Sequence, residues 1–295
     1  MNLLNRDLAS MAGARCLVTG GASGLGLELV RLLAADGARV LVADVHEQTP
    51  AGLPEGVEYR RLDVRVDEQW DEARVDVETR WGGLDLLVLN AGIAVGGRIE
   101  VTSLEDWQRI VDINLLGVVR GFHSFVPMMK QAGSGRIVVT ASAAGLVHPP
   151  AMSAYNAVKA GVVALAETTR AELAPAGITV SAICPSFFRT NLHESLHGKD
   201  VEMEQTATSL ITDAPRTAAQ VASSAYAQIR AGKHLVLPDG EARFAFYGKR
   251  FARPVYDRVM LFVGGRVDKG GEPLPGPVAR VRKRQGERAA ARRAA

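Results

Sequence analysis

The stretch "ARCLVTGGASGLGLELVRLL" (residues 14–33) decides the fold. An almost continuously apolar run ends at Thr19, the glycines Gly20, Gly24 and Gly26 follow, and a pattern of helical period then runs on until Gly37 closes it. Glycine permits positive φ and close backbone approach, and the first turn of a helix offers unpaired N–H groups at the positive end of its dipole. A strand, a glycine turn and a helix in that order make a cradle for a pyrophosphate, provided that the next strand ends in an acidic residue. "RVLVAD" (39–44) supplies Asp44.

Working outward, the alternation continues. "VEYRRLDV", "LDLLVLNAG", "GRIVVTAS" and "ITVSAICP" read as further strands, nearly continuous in apolar residues as strands covered on both faces are. Helical patterns separate them, including "LEDWQRIVDINLLGVVRGFHSFVPMMKQAG", ended by Gly133. Strand and helix in alternation predict an α/β fold: a doubly wound parallel sheet of Rossmann type between two helical layers. With 295 residues, 47% of them apolar, and no linker before about residue 265, one domain over 1–265 is expected, followed by a flexible tail (266–295).

Net charge is +3 with a pI near 9.0, but its placement is uneven. Residues 280–295 hold seven basic side chains against Glu287, leaving the rest of the chain at −3. This tail reads as a solvated end rather than a nucleic-acid contact. Cys16 and Cys184 lie in strand-like runs and read as buried thiols, and no cluster resembles a metal site. No apolar run is long enough to span a bilayer and the N-terminus lacks a secretory pattern, so a soluble, cytoplasmic protein without membrane insertion is expected.

Asp44 can accept hydrogen bonds from adenosine ribose hydroxyls, and its charge opposes the extra phosphate of NADP. Val45 follows it, and Ser23 stands where a phosphate-binding base would be sought in the glycine turn. NAD is therefore predicted over NADP, with His46, two residues beyond Asp44, as a neighbour able to carry positive charge.

With these residues in view, the chain resembles the short-chain dehydrogenase/reductase superfamily, in its single-domain branch, over about residues 12–240. The resemblance rests on "TGGASGLG" (19–26), "LDV" (62–64), "NAG" (90–92), "INLLG" (113–117), Ser142, "YNAVK" (155–159) and "PSFFRT" (185–190). It implies cofactor contacts at Gly20, Ser23, Gly24, Leu25 and Gly26. Further along the chain, it implies Asp63 and Val64 beside the adenine, and Asn90, Ala91 and Gly92 lining the cleft. It also implies a cofactor contact at Pro185, and Thr190 is expected on the nicotinamide carboxamide. The family form after Pro185 is glycine; this chain has Ser186.

"SAYNAVKAG" (153–161) carries the chemistry. Positions i and i+4 share a helix face, so Lys159 can lie beneath Tyr155 and lower the cost of ionising its phenol. Tyr155 then acts as general base on an alcohol or general acid on a carbonyl. The resemblance further implies that Ser142 holds the substrate oxygen, that Lys159 also bonds the nicotinamide ribose, and that Asn114 positions a water linking Lys159 to solvent.

Residues 187–215 correspond to the family's substrate lid, with apolar Phe187, Phe188, Leu192 and Leu196. Ile93, Leu146, Val147 and Met152 are expected near the mouth. His148, His193 and His197 read as solvated loop side chains. An added apolar helix over about 244–263, bent or delayed by Pro254, is expected to cap the pocket or cover a partner subunit. The predicted activity is NAD-dependent interconversion of a secondary alcohol and a ketone, on a lipophilic alicyclic, aryl or steroid-like substrate, by a homodimer or homotetramer. The alternatives are an NADPH-dependent ketoreductase and a non-catalytic dinucleotide sensor.

Overall fold

A computed structural model describes residues 11–267. In chain order it contains β1 (Arg15–Thr19), α1 (Gly24–Ala35), β2 (Arg39–Asp44), β3 (Glu58–Arg61), α2 (Asp67–Trp81), β4 (Leu86–Leu89), α3 (Leu104–Val111) and α4 (Gly117–Ala132). There follow β5 (Gly135–Thr140), α5 (Ala144–Val147), α6 (Ser153–Leu173), β6 (Ile178–Ile183), α7 (Val201–Thr212), α8 (Ala218–Arg230), β7 (Leu235–Val236), α9 (Gly240–Phe251) and α10 (Arg253–Val267).

Alternation within the strands dictates the layers. Leu17, Leu41, Leu87 and Ile137 project to one face, where they meet Trp70, Phe125, Met129 and Val162 of α2, α4 and α6. Their neighbours Cys16, Val18, Val40, Val88 and Val138 project to the other, against Leu29 and Leu33 of α1 and Val221 and Ile229 of α8. Each fully buried Leu, such as Leu17 or Leu87, contributes about 1.5–3 kcal/mol relative to exposure. The seven strands are all parallel, in the order β3-β2-β1-β4-β5-β6-β7. This is the doubly wound Rossmann arrangement, and its strand order reverses between β1 and β4, where a crevice opens at the carboxyl ends.

The structure departs from the sequence reading in three places. The long pattern ended by Gly133 is not one regular helix, because α3 and α4 are joined by a π-helical turn over Asp112–Leu116. The C-terminal extension is two helices instead of one: α9 stops at Ala252, and Pro254 falls in the first turn of α10, where a missing N–H costs nothing. β7, only two residues long, carries no period of its own and exists by pairing with β6. Cys16 and Cys184 are buried free thiols. The predicted tail lies, but for Arg266 and Val267, outside the described residues.

Candidate active site

The glycine turn closes against the NAG segment. Gly20 has φ +61°, and a Cβ there would stand 2.7 Å from the Ala91 Cα. A Cβ on Gly26 would collide with the Gly20 carbonyl, which is why the helix can start so close to the strand. Ser23 is the N-cap of α1 yet makes no side-chain cap bond, and Leu25 is buried behind it. The N–H groups of the first turn are thus left to an anion. Thr190 lies over this turn, its Oγ1 2.5 Å from where a Gly24 Cβ would be.

Asp44 ends β2 with its carboxylate accepting from Ala22 N (3.0 Å) and Val45 N (2.8 Å). His46 Nε2 is 3.8 Å from it. A reading along β2 alone finds no cation beside Asp44, and the sheet corrects this. Parallel register sets Arg61 of β3 opposite Asp44, with its guanidinium turned to Glu47 at 3.0 Å.

Several predicted cofactor residues also hold the scaffold. Asn90 Nδ2 donates to the carbonyls of Thr19 (3.1 Å) and Gly20 (3.0 Å), and its Oδ1 accepts from Thr140 Oγ1 at 3.0 Å. It therefore ties β1, β4 and β5 together at the crevice, with Thr19, the first residue of the glycine motif, and Thr140, which no motif announced, as partners. Asp63 is held by Arg65 at 2.6 Å, which keeps its carboxyl below the usual range. Val64 is buried and packs toward Gly117 of α4.

Gly92 sits between Asn114 and Lys159. A Cβ on it would be 3.2 Å from Asn114 Oδ1 and 3.6 Å from Lys159 Nζ. Asn114, in the π turn, accepts from Ile93 N (2.8 Å) and donates to Ile93 O (2.9 Å), locking this loop to the helix.

α6 brings Tyr155 and Lys159 to the same place, both buried. Lys159 Nζ lies 5.7 Å from the Tyr155 ring centroid. Burial pushes the phenol up to about 12, against a hydrogen bond with the Ser142 hydroxyl that pulls it down. Burial likewise pushes the Lys159 ammonium down to about 8. Desolvation dominates at both groups, and at Tyr155 it outweighs the Ser142 hydrogen bond. Ser142 Oγ accepts from Ala144 N at 3.1 Å, and Pro185 O receives Ala143 N at 2.9 Å, fixing the loop that carries the hydroxyl.

Ser186 causes no strain, since its φ is not positive. Its N–H instead donates to buried Asp239 Oδ2 at 2.9 Å, and Asp239 Oδ1 caps α9 through Ala242 N at 2.7 Å. Asp239 thus couples the 185–190 loop to the C-terminal helices, a role that a lone loop aspartate does not advertise.

Around Tyr155 the walls are apolar. Ile93, Ala94, Trp107, Met152, Phe187, Leu192, Leu196 and Ile211 belong to one cluster with it. Phe188 packs on the opposite side of the sheet instead. α7 is anchored by Asp200, buried and bonded to Arg98 Nε and Nη2 at 2.9 Å each. His148 is not simply solvated: with φ +53° it accepts from Lys249 Nζ at 2.8 Å, and Lys249 also donates to Leu146 O at 2.6 Å. His193 Nδ1 is 3.0 Å from Thr190 O.

Among the described residues no His, Cys, Asp or Glu cluster suits a metal ion. The residues do fit a dinucleotide: a strand-end crevice, a glycine cradle that side chains would fill, uncapped helix N–H groups and a carboxylate at the end of β2.

Comparison with known proteins agrees with this geometry. The family model described as short chain dehydrogenase matches residues 14–200. A 3-alpha-(or 20-beta)-hydroxysteroid dehydrogenase of Mycobacterium tuberculosis is 40% identical over 184 residues, covering 61% of this chain and 71% of the relative. A D-beta-hydroxybutyrate dehydrogenase of Rhizobium meliloti is 37% identical, covering 60% and 72%. Among solved structures, a short chain dehydrogenase/reductase from Burkholderia phymatum in complex with NAD superposes with TM-score 0.78 at 25% identity, over 83% of this chain and 96% of that one.

Proposed function

The chain belongs to the short-chain dehydrogenases, a family of oxidoreductases, and on that premise we propose that it is an NAD-dependent enzyme interconverting a secondary alcohol and a ketone on a lipophilic substrate. The observation that carries the reading is the meeting of a buried phenol, the hydroxyl of Ser142 and the ammonium of Lys159, beside a pyrophosphate cradle and inside an apolar cluster.

When bound, the nicotinamide accepts or supplies the hydride. Gly20, Gly24 and Gly26 with the first turn of α1 would hold the pyrophosphate, Asp44 would receive the adenosine ribose, and Thr190, which lies over the turn, would hold the carboxamide. Tyr155 Oη removes the hydroxyl proton in oxidation and returns a proton to the carbonyl oxygen in reduction. The Ser142 hydroxyl donates to the substrate oxygen as charge builds there. Lys159 would orient the ribose, and Asn114, locked to Ile93 through its amide, would position the relay water. The apolar wall favours alicyclic, aryl or steroid-like alcohols. The hydroxysteroid relative supports that choice.

NADH formation is followed with NAD and a panel of secondary alcohols from short aliphatic to steroidal, with NADP in parallel. Turnover with NAD on the bulky apolar members is expected. Equal or better turnover with NADP overturns the cofactor assignment, and turnover restricted to short hydroxy acids overturns the substrate class. No turnover on any member, with NADH still bound, favours the sensor reading instead.

A further inference from the structure

α9 and α10 present an apolar face that the rest of the described chain leaves uncovered. Phe244 is 83% exposed, Phe251 78%, Leu261 77% and Phe262 56%, with Tyr247, Val255 and Val259 also exposed. Spacing puts Phe244, Tyr247 and Phe251 on one side of α9, where Tyr247 and Phe251 stack at 6.1 Å. Val255, Val259 and Phe262 follow at the same period on α10. Exposed Arg243, Arg250 and Arg258 flank this surface.

The charge distribution identifies the occupant. Residues 240–267 hold six Lys and Arg against two Asp and Glu, whereas residues 1–239 hold twenty-one against twenty-seven. Contact of this face with the same face of a second copy would bring like charges together. An anionic bilayer suits both features, because aromatic and aliphatic side chains enter the headgroup boundary while arginines meet lipid phosphates. No helix here is long and apolar enough to cross a membrane, so the contact is interfacial.

We propose that the α9–α10 face, with the arginines that flank it, docks the protein on an anionic lipid surface. α9 grips the loop after Ser142 through Lys249, and Gly264 of α10 lies beside Pro150. The proposal does not depend on the reaction argued above.

The test is co-sedimentation of the full chain with phosphatidylcholine vesicles with and without phosphatidylserine. Binding is expected only with the anionic lipid, falling about tenfold between low and high salt. Phe244→Ser/Phe251→Ser/Phe262→Ser should abolish it, with an unchanged melting temperature as the folding control. Arg243→Gln/Arg250→Gln/Arg258→Gln, which keeps the apolar surface, should weaken it. No sedimentation with either vesicle, or equal sedimentation of parent and triple-serine variant, overturns the proposal. So does a native mass that drops in the serine variant, which would assign the face to contact between copies.

Discussion

Lys159 Nζ donates to the Thr140 carbonyl at 2.8 Å while lying 5.7 Å from the ring of Tyr155. The ammonium is thereby pinned between the end of β5 and the phenol, one helical turn apart on α6. The protein withdraws both groups from water, so each is biased to its neutral form.

A phenol pushed up to about 12 is protonated at neutral pH, ready to give a proton and reluctant to take one. Ketone reduction should therefore vary little through neutral pH, whereas alcohol oxidation should rise as pH increases. Tyr155→Phe should lower kcat in both directions by roughly 10²–10⁴-fold while leaving NADH binding in place. Steady-state rates across pH, with NADH fluorescence as the binding control, decide it. Wild-type turnover by the variant would remove Tyr155 from the mechanism.

The same burial makes Lys159 a stability liability. Its ammonium is depressed from 10.5 to about 8, so between those values the unfolded chain binds more protons and stability rises with pH. The cost is full below about 8 and gone once the unfolded lysine has also lost its proton. Lys159→Met should accordingly melt higher than the parent at neutral pH, with the gap narrowing as pH climbs toward 10. Above that the phenol confuses the comparison, since its folded value is raised and stability falls there. A gap that does not change with pH would show that Lys159 is not desolvated as described.

Asp44 separates charge from hydrogen bonding by choice of variant. Asp44→Asn keeps an acceptor for Ala22 N–H, whereas Asp44→Ala loses it. If the carboxylate repels the extra phosphate of NADP, both variants should raise the ratio of NADP to NAD efficiency by at least about tenfold, corresponding to ~1.4 kcal/mol. Only the alanine should also destabilise the glycine turn. Arg61, opposite Asp44 and now engaged by Glu47, is the cation that would then meet the phosphate. Adding Arg61→Gln to Asp44→Asn should cancel part of the gain, and an unaltered ratio in Asp44→Asn would take this residue out of cofactor selection.

The layered fold and the Tyr155–Lys159 pair were legible because they rest on local period, whereas Ser142 entered only through the family resemblance. What was missed depends on register or on distance along the chain. Arg61 reaches Asp44 only through strand pairing, and β7 exists only because β6 is there. Asp239 looks like any loop carboxylate until its two oxygens are found bridging Ser186 and Ala242, 53 residues apart for the first. The shift of both titrating groups toward neutrality depends on burial in three dimensions, which an i,i+4 spacing does not reveal. The apolar side of α9 and α10 was expected to cap the pocket or cover a partner subunit; sequence shows that a helix has such a side, not whether the rest of the described chain covers it.

Gly145 offers a test of how tightly the catalytic helix must be seated. It lies in α5, where a Cβ would stand 2.5 Å from the Lys159 carbonyl oxygen and 2.8 Å from Ala160 N. Those contacts are backbone, so they cannot swing aside as a long side chain would. Gly145→Ala must push α5 and α6 apart by several tenths of an ångström, at about 1–3 kcal/mol. The shift falls on the turn that carries Lys159, and on the loop that holds Ser142 Oγ through Ala144 N. The variant should lose kcat more than it gains in KM, together with a lowered melting temperature. Gly161→Ala is the control: its Cβ would meet the flexible Leu115 side chain at 3.3 Å, and it should keep most of its activity. Equal loss in the two variants would mean that α6 tolerates no bulk anywhere along its length, and the specific seating of Lys159 on Gly145 would lose its support.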